Sequence, residues 1–141
     1  MNSCYFCDVQ KNSDPNKVFE NKFFFSRTSD YPVSKGHCEV IVKDHIPSFF
    51  DLSANQALSL FEAVNETCKI INKKFSPDGF NLGINEGVAA GRSIQHFHFH
   101  VIPRYVGDVA DPTGGIRNVI SGAGNYISQA QKDPHFKKYY K

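Results

Sequence analysis

Three of the six histidines stand at alternate positions in the stretch Gln95-His96-Phe97-His98-Phe99-His100-Val101-Ile102. Successive side chains of a β-strand point to opposite faces, so the alternation predicts a strand with one row of imidazoles. The intervening residues form the other row and are predicted to lie in the core: Phe97, Phe99 and Val101. Burying three imidazoles without partners is costly, and the predicted row therefore needs a chemical task.

Three tasks fit a histidine row. The imidazoles can bind a metal, since alternate strand positions supply two ligands to one ion and histidine is a favoured zinc ligand. One ring can instead act as nucleophile or general base while its neighbours orient it. The remaining interpretation is of hydrogen-bonded strand residues without chemistry, which three histidines in register disfavour.

The residues before the row favour phosphate chemistry. Gly87 and Gly91 allow the backbone to approach a ligand closely. Asn85, Arg92 and Ser93 offer hydrogen-bond donors, and arginine suits phosphate oxygens. A neutral imidazole nitrogen is a competent nucleophile toward phosphorus when an acceptor holds its other nitrogen as N–H.

A second group of reactive residues is the C-x-x-C motif formed by Cys4 and Cys7. Such a pair can be a redox motif, half of a metal site or a coincidence. The redox interpretation requires a preceding strand, and only three residues come before Cys4. Half of a zinc site is favoured if two further ligands come from elsewhere in the chain.

The surrounding pattern predicts strands and one long helix that position these groups. Ser53 is predicted to cap a helix that ends before Ser76-Pro77-Asp78-Gly79, with one apolar stripe. That stripe consists of Phe61, Val64, Cys68, Ile71 and Phe75. Strands are predicted at Lys17–Glu20, Phe23–Arg27, His37–Val42 and Phe80–Asn85.

The composition of the 141 residues predicts one domain, residues 1–141, with a C-terminal tail from about 118 to 141. That tail is predicted to be a helix or an extended arm. The net charge of +2 is too small for a general nucleic-acid binder. No apolar run has the length of a membrane helix, and no signal pattern is visible at the start, so we expect a cytoplasmic protein with reduced thiols.

Four segments, in order, resemble the histidine triad family. The run His96–Ile102 matches the motif in which histidine and an apolar residue alternate three times. Pro32–His37, followed by a strand and Lys43-Asp44-His45, is similar to the family's segment upstream of the helix. Asn85-Glu86-Gly87 resembles its tripeptide before the active-site loop. The residues 103–117 resemble a stretch of bacterial members described as dinucleotide hydrolases.

The resemblance implies an α+β fold, an antiparallel sheet of about five strands with one long helix packed on it, and a homodimer. It also implies nucleotidyl chemistry at an α-phosphate. His98 corresponds to the nucleophile, which forms a nucleotidyl-histidine intermediate that water hydrolyses. His100 corresponds to a donor beside the phosphate, and the backbone of His96 to the group that orients His98.

The resemblance also implies a substrate-binding set and shows two departures within it. The implied set is Asn85, Arg92, Ser93, His37 and Asp30. Arg92 stands where the family commonly has glutamine, which predicts a preference for an anionic leaving group such as a polyphosphate. Ser29 stands at the usual ribose-binding acidic position, and Asp30 is one residue further along.

Some family members close a zinc site with the two cysteines, the histidine after the second segment and the first triad histidine. In this chain those residues are Cys4, Cys7, His45 and His96. Two thiolates and two imidazoles form a closed tetrahedral set, so the zinc would be structural.

The expected function is hydrolysis of adenylylated substrates, either dinucleoside polyphosphates or nucleoside phosphoramidates. Two alternatives stay open, namely a nucleotide-binding regulatory protein with little turnover and a phosphorylase that uses phosphate as acceptor.

Overall fold

Five strands and three α-helices make up the part of the chain described by the computed structural model, residues 4–139. The strands are β1 (Lys17–Glu20), β2 (Phe24–Thr28), β3 (Cys38–Val42), β4 (Gly79–Gly83) and β5 (His98–Arg104). The helices are α1 (Tyr5–Lys11), α2 (Ala54–Phe75) and α3 (Ile127–Lys132). The predicted α+β class is confirmed.

One antiparallel sheet contains all five strands in the order β1-β2-β3-β5-β4. Of the predicted strands, β1 is reproduced in full and β2, β3 and β4 differ by one or two residues at their ends. The histidine strand β5 therefore lies between β3 and β4, with hydrogen-bonded neighbours on both sides. A strand in that position is held firmly, which suits a row of side chains that must keep their orientation.

Helix α2 begins where the sequence predicts. The Ser53 hydroxyl accepts a hydrogen bond from the Gln56 amide, and the Gln56 side chain accepts one from the Ser53 amide, which completes a capping box. The helix ends at Phe75 and is capped by Ser76, whose φ of 48° is left-handed, directly before Pro77. The predicted stripe is wrong at Phe61, which is 71% exposed. Ile71 is buried as predicted, and Val64, Cys68 and Phe75 are partly buried against the core. The buried positions of α2 are Gln56, Ser59, Leu60, Ala63, Thr67 and Ile71.

The two faces of the sheet carry different chemistry. Helix α2 covers the face formed by Phe24, Val40 and Val101. Directly opposed residues in antiparallel strands share a face, so the register groups the alternate residues on the other face. One row there is Phe25, Ile41 and His98, and the next is Arg27, Glu39 and His100.

Helix α1 covers part of that second face. Phe6 is 1% exposed and packs with Phe25 and Ile41 in a small apolar cluster. The sequence does not predict this helix, because its seven residues are too few to show a helical periodicity. Its stability comes from burial of Phe6, and it brings Cys4 and Cys7 to the sheet.

His98 and His100 lie in a strand, as predicted. The prediction is wrong for His96, which lies outside the strand. Strand β5 starts at His98, because the chain before it turns to let the Phe97 amide donate to the Ile46 carbonyl over 2.6 Å. His96 is nevertheless fully buried, and its ring contacts Phe6 on the α1 side. All three rings therefore lie on one side of the sheet.

Backbone contacts divide the chain into two compact units, residues 1–104 and 105–141. In the described part of the second unit, α3 is joined by two short 3-10 segments, Gly115–Val119 and Lys137–Tyr139. The predicted tail thus contains short helices, and Tyr140 and Lys141 lie outside the described residues. Its boundary near residue 118 and the homodimer stay predictions. Within residues 4–139, no helix is both long and apolar enough to cross a lipid bilayer.

Candidate functional site

His98 is held in one orientation by the backbone. Its Nδ1–H donates to the carbonyl oxygen of His96 over 2.9 Å. A neutral imidazole has one N–H and one lone pair, so this bond leaves the lone pair on Nε2. The Phe6 ring packs 5.1 Å from the His98 ring, measured between centroids, and limits its movement. His98 therefore presents a nucleophilic nitrogen in a defined direction.

His100 is oriented by a relay that starts at the backbone. The Val33 amide donates to His37 Nδ1 over 3.2 Å, so the proton of His37 resides on Nε2. His37 Nε2 lies 3.1 Å from His100 Nδ1 and donates to it. His100 consequently carries its N–H on Nε2. The centroid of the His100 ring is 5.1 Å from that of the His98 ring. A hydrogen-bond acceptor that approaches His98 Nε2 therefore lies next to the Nε2–H of His100, which can donate to it.

Burial keeps this relay neutral. Desolvation lowers the pKa of His37, which is 5% exposed. Desolvation, together with the neighbouring His98 and His37, lowers the pKa of His100 to about 4. A protonated His100 would present N–H on both nitrogens and lose the acceptor that His37 needs. Neutral rings preserve the relay over the physiological pH range.

We expect this depressed pKa to make stability pH-dependent. Below about pH 6.5 the ring in the unfolded chain takes up a proton, whereas the folded ring stays neutral to about pH 4. The unfolded state then binds more protons, so the free energy of unfolding falls by about 3 kcal/mol as the pH drops from 6.5 to 4. Denaturant titrations of the wild type and of His100→Asn across this range measure the contribution.

The asparagine variant retains an oxygen that can accept from His37 but has no titrating ring. Its stability is expected to fall less steeply with acid than that of the wild type, while His37 and His96 still contribute to the remaining slope. His135→Asn, at an exposed position, is the matched control and should reproduce the wild-type slope. Equal slopes for wild type and His100→Asn would contradict the assignment.

Four potential metal ligands meet beside the triad, and we call them the Cys2His2 cluster: Cys4, Cys7, His45 and His96. Their ligand atoms all lie within 4.8 Å of one another. His96 Nδ1 is 3.4 Å from the Cys4 sulfur and 3.5 Å from the Cys7 sulfur, and His45 Nδ1 is 3.4 Å from the Cys7 sulfur. Metal–ligand distances of about 2.3 Å for sulfur and 2.0 Å for nitrogen in a tetrahedron give separations of this size.

The chemistry of the donors also fits a metal. His96 Nε2–H donates to the Val42 carbonyl over 2.6 Å, which leaves the Nδ1 lone pair directed at the cluster. Burial lowers the pKa of His96, which keeps the ring neutral. Burial and the adjacent Cys4 thiol raise the pKa of Cys7, so a metal would displace a proton on binding. The four predicted zinc ligands therefore come together as predicted.

The loop before the triad is closed by an ion pair. Arg92 Nη1 donates over 2.9 Å to both the Glu86 carboxylate and the Pro47 carbonyl. Glu86 also accepts from the Phe49 amide, and these bonds lower its pKa. The positive charge of Arg92, which is predicted to bind an anion, is thus already paired with a carboxylate. The Nε–H of Arg92 is buried and has no partner among residues 4–139.

The other predicted donors lie at the ends of the strands around His98. Asn85 follows β4 two residues after Gly83, which pairs with His100. Ser93 lies in the loop between Arg92 and the triad, and both side chains are exposed. His37 does not face solvent, since both of its nitrogens are engaged by Val33 and His100. It lies behind His100 as a positioning residue.

A cavity of about 440 Å³ opens next to Phe6, whose ring packs against that of His98. Its lining consists of Tyr5, Phe6, Ser29, Asp30, Tyr31, Glu39 and Ile94. Asp30 accepts from two nitrogens of Arg27, each at 3.0 Å, and from the Tyr5 hydroxyl, and these bonds lower the pKa of Asp30. Most of the acceptor capacity of Asp30 is therefore used. Its predicted contact with ribose stays a prediction.

Sequence reasoning missed Glu39 and the aromatic residues of α1. The available signal was a charged residue inside an otherwise apolar strand, Cys38-Glu39-Val40-Ile41-Val42. Such a residue needs a partner or a ligand when it faces a sheet interior. Phe6 and Tyr5 could not be placed, because their role depends on a helix that only the packing reveals.

Comparison with known proteins identifies the family. The family model described as HIT domain matches residues 10–107, and the chain belongs to this family. "Protein hit" of Bacillus subtilis is 36% identical over 104 residues, which are 73% of this chain and 72% of that protein. A HIT family protein from Bacillus anthracis has a TM-score of 0.70 at 35% identity, covering 76% of this chain and 77% of that one.

Some of the relatives carry enzyme names. The bis(5'-nucleosyl)-tetraphosphatase of Schizosaccharomyces pombe is 36% identical over 80 residues, 57% of this chain and 44% of that protein. The AP-4-A phosphorylase of Mycobacterium tuberculosis is 30% identical over 117 residues, 82% of this chain and 57% of that protein. A solved structure described as a Zn-bound histidine triad family protein from Mycobacterium smegmatis has a TM-score of 0.69 at 28% identity, covering 77% of this chain and 80% of that one.

Proposed function

We propose that this protein hydrolyses nucleotidyl compounds at the α-phosphate through a covalent intermediate on His98. The observation that carries the proposal is the hydrogen bond from His98 Nδ1–H to the His96 carbonyl, which leaves the Nε2 lone pair available for attack. Adenylylated substrates, either dinucleoside polyphosphates or nucleoside phosphoramidates, are the first to test, since the resemblance and two relatives suggest them.

In the proposed first step, His98 Nε2 attacks the α-phosphorus and the leaving group departs with the electrons of its bond to phosphorus. The Nε2–H of His100 donates to a phosphate oxygen and stabilises the charge that develops there. Water then attacks the same phosphorus, the phosphorus–nitrogen bond to His98 breaks, and a nucleoside monophosphate is released. His37 contributes indirectly, because it sets the tautomer of His100.

Three residues beside His98 would bind the substrate in this proposal. Asn85 and Ser93 donate to phosphate or leaving-group oxygens from the exposed loop ends. Arg92 would contribute its positive charge to the phosphates, while its guanidinium keeps the loop closed through Glu86 and its Nε–H stays buried. Because Glu86 offsets the charge of Arg92, we expect the preference for polyphosphate leaving groups to be smaller than the arginine alone suggests.

Zinc in the Cys2His2 cluster would be structural. Four protein ligands fill a tetrahedron and leave no position for water or substrate. The metal would tie α1 to His45 and to the residue whose carbonyl orients His98. Its contribution to the reaction would therefore be the rigidity of the triad.

A phosphorylase is the second candidate, supported by the name of the Mycobacterium tuberculosis relative. In that reaction inorganic phosphate replaces water in the second step, and the product is a nucleoside diphosphate. Both candidates share the His98 intermediate. They differ only in the acceptor.

One experiment tests the proposal and separates the two candidates. The purified protein is incubated with a dinucleoside tetraphosphate or an adenosine phosphoramidate, with and without inorganic phosphate. We expect AMP as a product under both conditions. ADP that appears only with phosphate would assign a phosphorylase. Binding of AMP without turnover of any substrate would contradict the proposal and favour a regulatory protein.

A further inference from the structure

The cavity lined by Phe6 and Glu39 is near enough to the triad to hold the part of a substrate that remains attached to the phosphorus. Phe6 belongs to its lining and packs against the ring of His98. Glu39, also in the lining, is the direct neighbour of His100 across β3 and β5. Neither histidine lines the cavity, but each is the neighbour of a lining residue, so a group bonded to a phosphate at His98 and His100 can extend into it.

The walls of the cavity suit a planar base. Tyr5 and Tyr31 are aromatic and exposed, whereas the buried Phe6 and the apolar Ile94 complete the lining. Aromatic side chains hold nucleobases by stacking, irrespective of which base is present. A volume of about 440 Å³ lies within the range of small-molecule sites. The walls thus favour a base but do not distinguish one base from another.

Among the polar groups that line the cavity, Glu39 is the one that retains acceptor capacity. The Ser29 hydroxyl donates to one oxygen of Glu39 over 3.1 Å, and the Tyr5 hydroxyl donates to Asp30. The other oxygen of Glu39 forms an ion pair with Arg27 Nη1 at 3.8 Å, which is too long for a hydrogen bond. A carboxylate accepts about four hydrogen bonds, so Glu39 keeps unused acceptor sites although its side chain is only 14% exposed.

We propose that Glu39 makes this cavity selective for guanine over adenine. This selectivity rests on the function proposed above and specifies which base the substrate carries. The pairing edge of guanine offers two adjacent donors, N1–H and the N2 amino group, which match the two oxygens of one carboxylate. Adenine offers one amino group there beside the bare acceptor N1, which the carboxylate repels.

This inference departs from the adenylylated substrates that the resemblance suggests. The reason lies in this chain: a partly unsatisfied carboxylate lines the cavity at the strand position next to His100. Binding of adenine would bury the carboxylate against the acceptor N1 and cost affinity. Binding of guanine would give the carboxylate two hydrogen bonds and raise the affinity. We expect guanylylated substrates to be bound and cleaved better than their adenylylated counterparts.

Binding measurements on the His98→Asn protein test the selectivity without turnover. Titration calorimetry with GMP, IMP and AMP is expected to give GMP an affinity at least about tenfold above that of AMP, with IMP between them because it lacks the amino group. Deoxy-GMP should bind like GMP. Equal affinities for GMP and AMP would overturn the inference. A tenfold loss with deoxy-GMP, and no difference among the bases, would also overturn it and assign Glu39 to the ribose.

The substitution Glu39→Gln supplies an independent readout. The amide of glutamine pairs with adenine through one donor and one acceptor, so the order of affinities should reverse in favour of AMP. Glu66→Gln, on α2 and paired with Lys69, is the matched control and should leave the order unchanged. The nucleotide series on the His98→Asn protein remains decisive if Glu39→Gln fails to fold. Failure of all three nucleotides to bind would overturn the proposed function as well, whereas equal binding overturns the selectivity alone.

Discussion

Replacing His98 with asparagine should lower the rate of nucleotide cleavage by at least about ten-thousandfold. The amide nitrogen of asparagine occupies the position of Nδ1 and can still donate to the His96 carbonyl, so the local backbone is preserved. Only Nε2, the nitrogen with the free lone pair, is removed. Steady-state kinetics with the substrate that the wild type cleaves best measure the loss.

Several controls separate loss of the nucleophile from loss of the fold. His135→Asn makes the same chemical change at an exposed histidine of the second unit and should keep full activity. The melting temperature and the nucleotide affinity of His98→Asn should stay close to those of the wild type. Mass spectrometry of the wild type during turnover should detect a nucleotidyl adduct that His98→Asn cannot form. Turnover at the wild-type rate in His98→Asn would contradict the mechanism.

Features of this site that depend on neighbouring residues in the sequence are predictable, whereas features that join distant residues are not. The alternation around His98 is a local pattern with a period of two, and it predicts the strand and its buried row directly. The capping box at Ser53 is equally local. The four ligands of the Cys2His2 cluster are distant in sequence, and only the resemblance to a known family joined them.

The features that were not predicted depend on packing. His96 leaves the strand because the Phe97 amide bonds to the Ile46 carbonyl, a contact between distant segments. Phe61 has the spacing of a core residue on α2 but faces solvent, since periodicity alone does not set the position of the buried stripe. The relay from Val33 through His37 to His100 is invisible in the sequence, because it requires two strands in register.

Removing one cysteine of the Cys2His2 cluster should cost both the metal and much of the stability. In Cys7→Ala the site keeps three ligands, and we expect the zinc content to fall from about one per chain to near zero. A stabilisation of about 4 kcal/mol, as a ligand gives at a thousandfold excess over its dissociation constant, would be lost. At this chain length that corresponds to a fall in melting temperature of roughly 10–15 °C. Metal analysis and calorimetry measure both effects.

The substitution Cys7→Ala and its controls separate loss of the metal from other effects on stability. Alanine has a higher helix propensity than cysteine, so α1 itself gains from Cys7→Ala and any loss of stability comes from the missing ligand. Cys68→Ala makes the same change on α2, outside the cluster, and should keep its zinc. A chelator should lower the melting temperature of the wild type to that of Cys7→Ala and leave Cys7→Ala unchanged. If the purified wild type holds no zinc and melts together with Cys7→Ala, the four residues do not form a metal site, and packing of Phe6 alone holds α1 on the sheet.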